Sequence, residues 1–360
     1  MVVQLTQEQD DFISRAVECY QSSSDGCDIV ACDGCSGAGK STAVVEICRR
    51  VSAMTCQPPL LSLYLLSYSN AAVAVLNKKL LDHGLAGRSY RVMTTHKFGY
   101  VILRQSLDFP EKWFLNGSQL KRFRSTCTFL NCNYSLNGPS VQPVLANLFD
   151  NVRVAGLLFP LQQSEREIPM MMVAKILGKH KMPVSNSLVE LCMTNIDSLM
   201  MTYIDHISLA CTHLSRFPVD YAACLYIPLV VARLSQHANS SIRDNVSPMM
   251  FIVIDEAQDL SRCELELFRA LAQQRRAYIR LCGSRPQRIF GFRGAVNDYC
   301  SQIPDDRIFS LTTSLRSNDV ICDTVRERYG GTGHMIYAAP TIPHGDPFSV
   351  QQIPVPTTIR

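Results

Sequence analysis

Two periods run through this 360-residue chain. Short apolar runs at 29–31, 61–66, 90–93, 249–254, 279–282 and 309–311 end abruptly in glycine, small polar or acidic residues. Such runs suit strands buried on both faces, as in a parallel sheet. Between them lie stripes with helical spacing: Phe12, Ile13, Ala16 and Val17, then Val44, Ile47, Cys48 and Val51, then 71–81. Thr6 is placed to cap the first helix, spanning 1–24, with Gln9 at the reciprocal position of a capping box. Further helices start near Lys97, near Ser261 and after Ser317. Strands alternating with helices predict an α/β fold with a parallel sheet. Residues 105–247 break the alternation: 184–214 is a long amphipathic helix, 221–234 an apolar one, and 131–143 a loop rich in Asn, Ser, Gly and Pro. We read this stretch as a mostly helical insertion. After Gly330 glycine and proline thicken, and a poorly ordered tail is expected at 331–360.

The sharpest local signal is GCSGAGKS. Gly34, Gly39, Lys40 and Ser41 satisfy G-x-x-x-x-G-K-[ST] between a strand and a helix, the setting that makes a phosphate loop. Gly34, Gly37 and Gly39 let the backbone curl with its N–H groups inward, and the helix N-terminus adds positive potential. Lys40 is placed for the β- and γ-phosphates of ATP and the Ser41 hydroxyl for Mg²⁺, with Ala38 and Thr42 completing the ATP-binding loop. At 249–259, MMFIVIDEAQD puts two acids at a strand tip. Asp255 there can hold Mg²⁺ and Glu256 can orient the attacking water; two acids capping the next helix is the alternative. Gln9 carries an amide that donates and accepts at once, as reading an adenine edge requires, although its capping position accounts for it equally.

Other residues suit a nucleic-acid strand. Tyr68 and Asn70 fall at the carboxyl end of the second strand, and Thr95 and His96 at that of the third, where open α/β sheets gather binding groups. Strand-end and helix caps are the competing roles. Lys112, Lys121, Arg122 and Arg124 interleave with Trp113, Phe114 and Phe123, which fits single-stranded nucleic acid or a solvated helix face with core aromatics. Residues 267–297 hold seven arginines and no acid, with Phe290 and Phe292 among them, a basic surface suited to stacking unpaired bases. Arg316 could reach a nucleotide across a cleft.

Composition changes the picture less. With 47% hydrophobic and 18% charged residues the chain is globular, and a net charge of +4 decides no partner by itself. Fifteen cysteines are present, but residues 1–20 carry Glu8, Asp10, Asp11 and Glu18 and no apolar run of the kind a secretory signal has. Reduced thiols in an intracellular chain are therefore expected, with nucleus and cytoplasm unresolved. The Cys32-x-x-Cys35 pair lies across the phosphate loop with no second zinc-spaced pair after it, so no metal role is expected for it. The most apolar stretch, 60–76, is broken by Ser62, Ser67, Ser69 and Asn70, so no membrane span is expected.

Taken in order, LTQEQ, GCSGAGKS, SYSNAA, TTHKFG, VIDEAQD, GSRPQRIFGFRGA and LTTSLRS resemble the motifs of superfamily-one DNA helicases of the UvrD type, nearest the F-box DNA helicase branch through the DEAQD and FRGAVN wording. The resemblance covers residues 5 to about 320, with 105–247 only weakly included. It implies a RecA-like P-loop NTPase domain, a parallel sheet flanked by helices, at 1–104 and 248–300, a helical insertion at 105–247, and the start of a second RecA-like domain at 301–330. It implies ATP and Mg²⁺ as cofactors and single-stranded DNA as partner. Under it Gln9 reads adenine, Lys40, Ser41 and Asp255 hold phosphates and metal, and Glu256 is the catalytic carboxylate. Gln287 senses the γ-phosphate, Arg316 contacts it from the second domain, and Tyr68, Asn70, Thr95, His96, Phe292 and Arg293 line the strand path. Two departures stand out. Gly283-Ser284 replaces the usual Gly-Asp, and the motifs that complete the second domain do not follow. Slow turnover by these residues alone is expected, the chain being either a fragment or served by a partner protein that supplies the missing motor domain. A non-unwinding remnant that binds ATP and single strands is the competing reading; a nucleoside kinase would leave DEAQD and FRGA without a task.

Overall fold

The computed structural model describes residues 5–22, 28–54, 61–85, 90–107, 115–132, 141–210, 217–237, 249–274, 277–288, 298–329 and 335–340. Its centre is a six-stranded parallel sheet, flanked by helices in the RecA-like manner. In chain order the elements are α1 (Gln7–Ser22), β1 (Asp28–Gly34), α2 (Lys40–Met54), β2 (Leu61–Ser67), α3 (Asn70–Asp82), β3 (Tyr90–Thr94) and α4 (Thr95–Leu107). A helical layer follows: α5 (Gln119–Phe129), α6 (Gln142–Val154), α7 (Glu167–Lys179), α8 (Asn186–Ala210) and α9 (Tyr221–His237). The chain then returns to the sheet with β4 (Met249–Asp255), α10 (Arg262–Gln273), β5 (Ala277–Gly283) and β6 (Ile308–Leu311), and ends its described part with β7 (Thr313–Ser314), α11 (Asp319–Tyr329) and β8 (Tyr337–Ala338).

The strand order is β3-β2-β4-β5-β1-β6, so β5 separates β1 from β4. Side chains alternate between two cores, as the period of two requires. Ala31, Leu66, Ile252, Ile254, Ile279 and Leu281 face the core shared with the helical layer. Val30, Cys32, Leu65, Val253 and Cys282 face the core filled by α1 and α2. The layers are joined by α9, which packs on α4 and α10. Within the helical layer a fully buried Arg153 donates to both oxygens of Asp220, each at 2.9 Å, and lies 4.0 Å over the Phe149 ring. Among the described residues no helix is long and apolar enough to cross a membrane.

Several expectations are corrected. The strand expected to open a second domain within 301–330 is β6, which pairs with β1 as the sixth strand of the main sheet. The tail expected at 331–360 contains β8, paired with β7 in a separate two-stranded sheet. The seven-arginine stretch is not uniformly a surface. Arg269 is buried, and Arg280 is fully buried on β5, with Nε donating to the Ala16 carbonyl at 2.7 Å and the guanidinium 5.1 Å from the Phe251 ring centre. The carbonyl at hand and the ring face let a cation sit between sheet and α1. Lys112, Trp113, Phe114, Phe290, Phe292 and Arg293 lie outside the described residues.

Candidate functional site

The phosphate loop begins where β1 ends at Gly34. Gly37 and Gly39 have φ of +76° and +75°, a region that L side chains rarely adopt, and a Cβ on Gly37 would come within 2.6 Å of the Arg316 Cβ. Thr42 and Ala43 then donate backbone N–H groups to the Gly39 carbonyl at 2.9 and 3.0 Å, starting α2. Lys40 is buried, its ammonium donating to the carbonyls of Gly34 at 3.1 Å and Cys35 at 2.9 Å. An ammonium has three hydrogens, so one remains.

Gln9 takes its expected place in the cap of α1. Its Oε1 accepts from the Thr6 backbone at 2.9 Å and its backbone N–H donates to the Thr6 hydroxyl at 3.2 Å, the reciprocal cap. Its Nε2 donates to the Ala38 carbonyl at 2.8 Å, so the same amide braces the loop. One N–H and one lone pair of the amide are left over.

The two acids meet the loop from β4. Ser41 Oγ donates to Asp255 Oδ2 at 3.1 Å, across a gap that β5 spans in the sheet. Burial pushes the Asp255 carboxyl up to about 6, the neighbouring Glu256 charge adds to the rise, and the Ser41 hydrogen bond opposes it. Glu256 adopts the left-handed conformation, φ 59° and ψ 45°, which is costly for a residue with a Cβ and turns its side chain out of the strand's alternation. Gln258 Nε2 donates to Glu256 Oε2 at 2.6 Å, while Gln258 Oε1 accepts from the Ser284 backbone at 2.9 Å. That relay ties the acid to the tip of β5. The helix-cap alternative for the acids belongs to Ser261 instead, which forms a capping box with Glu264 at the start of α10.

Arg316 is exposed and follows β7, with the preceding Leu315 N–H donating to the Gly37 carbonyl at 2.9 Å. Gln287 is exposed on a short 3-10 turn, Arg285–Gln287, at the carboxyl end of β5, and its backbone N–H donates to Ser284. That turn is anchored by Asp33, which accepts from the Arg285 backbone at 3.0 Å and from its Nε at 2.7 Å. Asp33 and Gln258 were not singled out from the sequence. Gln258 follows the acids by two positions and its amide could have flagged it; Asp33 carries no signal along the chain.

The residues expected along a strand path divide. Tyr68 and His96 line a cleft of about 520 Å³ between the layers, with Gln119, Arg122, Asn151 and Glu264 on its walls. Asn70 is exposed at the first turn of α3, where Ser69 is the cap. Thr95 is fully buried and gives its hydroxyl to Glu264, so it presents no surface to a strand here. The helix that follows takes its side-chain cap from Thr94, which accepts from the Lys97 N–H at 3.3 Å.

The donor set suits Mg²⁺ carried by a nucleotide. A hydroxyl and a carboxylate are hard oxygen ligands, too few to cage the ion alone and enough to hold one that keeps waters and phosphates. Among the described residues no cluster of three or more His, Cys, Asp or Glu could hold a metal. The Cys35 thiol is pushed up to about 11 by burial. Residues 16–308 match the model of the UvrD/REP helicase N-terminal domain. That span begins after Gln9 and stops before Arg316. No curated protein matches the chain.

Proposed function

The chain belongs to the UvrD/REP helicase family, and on that premise we propose that it is an ATP-dependent DNA helicase of superfamily one, coupling ATP hydrolysis to movement on single-stranded DNA. The observation that carries the reading is the 3.1 Å contact between Ser41 and Asp255, which joins the phosphate loop to the acids from a strand two places away. The DEAQD and FRGAVN wording supports the F-box DNA helicase branch as its nearest kin.

Bound Mg²⁺·ATP supplies the phosphoanhydride and a cation that neutralises charge on its oxygens. The chain's own residues do the rest. Lys40 would give its ammonium to the β- and γ-phosphates in place of the Gly34 and Cys35 carbonyls. Ser41 and Asp255 would hold the metal. Glu256, steadied by Gln258, accepts the proton of the attacking water. Gln287 and Arg316 respond to the γ-phosphate, and Gln9 reads adenine with the N–H and lone pair its brace leaves over. Tyr68, Asn70 and His96 contact the strand from the α/β layer, with Phe292 and Arg293 as the stacking and charged pair. We assign the α/β layer to ATP and residues 105–247 to the far wall of the strand cleft.

The test is ATP hydrolysis with and without single-stranded DNA. We expect stimulation in the wild type and its loss in Lys40→Ala and Glu256→Gln. No stimulation above the Lys40→Ala background overturns the reading; nucleotide binding without stimulation points to a remnant that binds but does not move.

A further inference from the structure

Glu8 stands one residue before Gln9, in the first turn of α1, and its carboxylate is engaged 304 residues away. Oε2 accepts from the backbone N–H groups of Thr312 at 2.9 Å and Thr313 at 3.1 Å, and Oε1 accepts from the Thr312 hydroxyl. Two successive N–H groups and a hydroxyl on one ionised carboxylate make a charge-assisted joint, stronger than neutral hydrogen bonds. The gripped peptide is the link from β6 to β7. The phosphate loop holds that link from its other side: Cys35 N–H donates to the Leu311 carbonyl at 2.8 Å, Cys35 Sγ to the Thr312 carbonyl at 3.4 Å, and Leu315 N–H to the Gly37 carbonyl at 2.9 Å. Arg316 comes next, its N–H and that of Ser317 both on Ser314 Oγ at 3.3 and 3.0 Å. Successive residues of one helical turn therefore grip two elements. Gln9 holds the loop through Ala38, and Glu8 holds the arm that carries Arg316.

We propose that Glu8 is a positioning residue: it sets where Arg316 stands over the phosphate loop, so the first turn of α1 registers arginine and loop together. The inference rests on the reading of this site as an ATP hydrolase and deepens it. Removing the carboxylate takes away one of the two grips on the arm, leaving the loop's own bonds to it, without touching a phosphate ligand. A misplacement of about 1 Å can cost about 100-fold in rate.

The experiment compares wild type, Glu8→Ala, Glu8→Gln, Arg316→Ala and the Glu8→Ala/Arg316→Ala double variant. For strand-stimulated hydrolysis, Glu8→Ala is expected to lower kcat by about 100-fold with KM for ATP little changed, and the double variant to be no slower than Arg316→Ala alone. Glu8→Gln, which keeps one acceptor oxygen, recovers part of kcat. Independently of turnover, amide exchange at Thr312 and Thr313 is expected to speed up in Glu8→Ala. Unchanged exchange at both amides overturns the proposal, and so do losses that multiply in the double variant. If the wild type hydrolyses no ATP the helicase reading falls, while the exchange rates still decide whether Glu8 holds the arm.

Discussion

Asp220 in the helical layer and Asp255 at the tip of β4 are buried to nearly the same extent, 3% and 4% exposed. Burial alone pushes both carboxyls up, because the charged form loses its water. At Asp220 that push is overcome. Arg153 donates to both oxygens, the Ala223 N–H donates at 2.9 Å, Arg122 lies at 3.6 Å, and the carboxyl falls below its ordinary range. At Asp255 the nearest charge has the same sign, and the carboxyl rises to about 6. The contrast separates architecture from chemistry. In the helical layer the negative charge is matched inside the fold; at the tip of β4 it is not, which suits the metal-holding role proposed for Asp255.

Three measurements break or sharpen that contrast. The largest effect belongs to Arg153→Met, which takes from the buried Asp220 its two-pronged partner and leaves it the weaker Arg122 contact and the Ala223 N–H. A loss of about 3–5 kcal/mol in denaturant unfolding is expected, mostly recovered in Arg153→Met/Asp220→Leu because the uncompensated charge then goes too. A loss well below that would mean the pair is not matched as the contacts indicate. Next comes Asp255→Asn in metal-free protein. The folded pKa of Asp255 lies above its unfolded value near 4, so its contribution to stability is fully present below about pH 4 and is lost as pH rises through about 6. Removing the ionisable group should therefore stabilise the protein above pH 6, by up to about 3 kcal/mol, with the gain vanishing near pH 4. Added Mg²⁺·ATP should stabilise the wild type and not the variant. A pH-independent difference would remove the electrostatic account. The smallest effect is Ser261→Ala, about 1 kcal/mol in thermal unfolding, through loss of the box that caps α10.

How much of this was legible depended on whether the signal ran along the chain. The phosphate loop was, since a glycine turn between a strand and a helix is a local pattern. The acids at the end of 249–255 were too. Thr6 and Gln9 announced their cap by spacing, and the cap is present. The buried contact of Thr95 was not legible, because a hydroxyl at a strand end suits a phosphate and a buried partner equally, and Glu264 lies 169 residues away. The resemblance led to an acid after Gly283 and met Ser284. Asp33 stands in register with Gly283 on the neighbouring strand and grips Arg285 there.

By itself the sequence determined the α/β alternation, the curled loop and the paired acids, because glycine, backbone period and charge act within a few residues of one another. Only the tertiary structure decided that Ser41 meets Asp255, that Arg280 is buried against Ala16, and that Glu8 reaches Thr312. Strand order and register set those meetings, and both follow from how the two faces of the sheet are buried, which no single segment specifies.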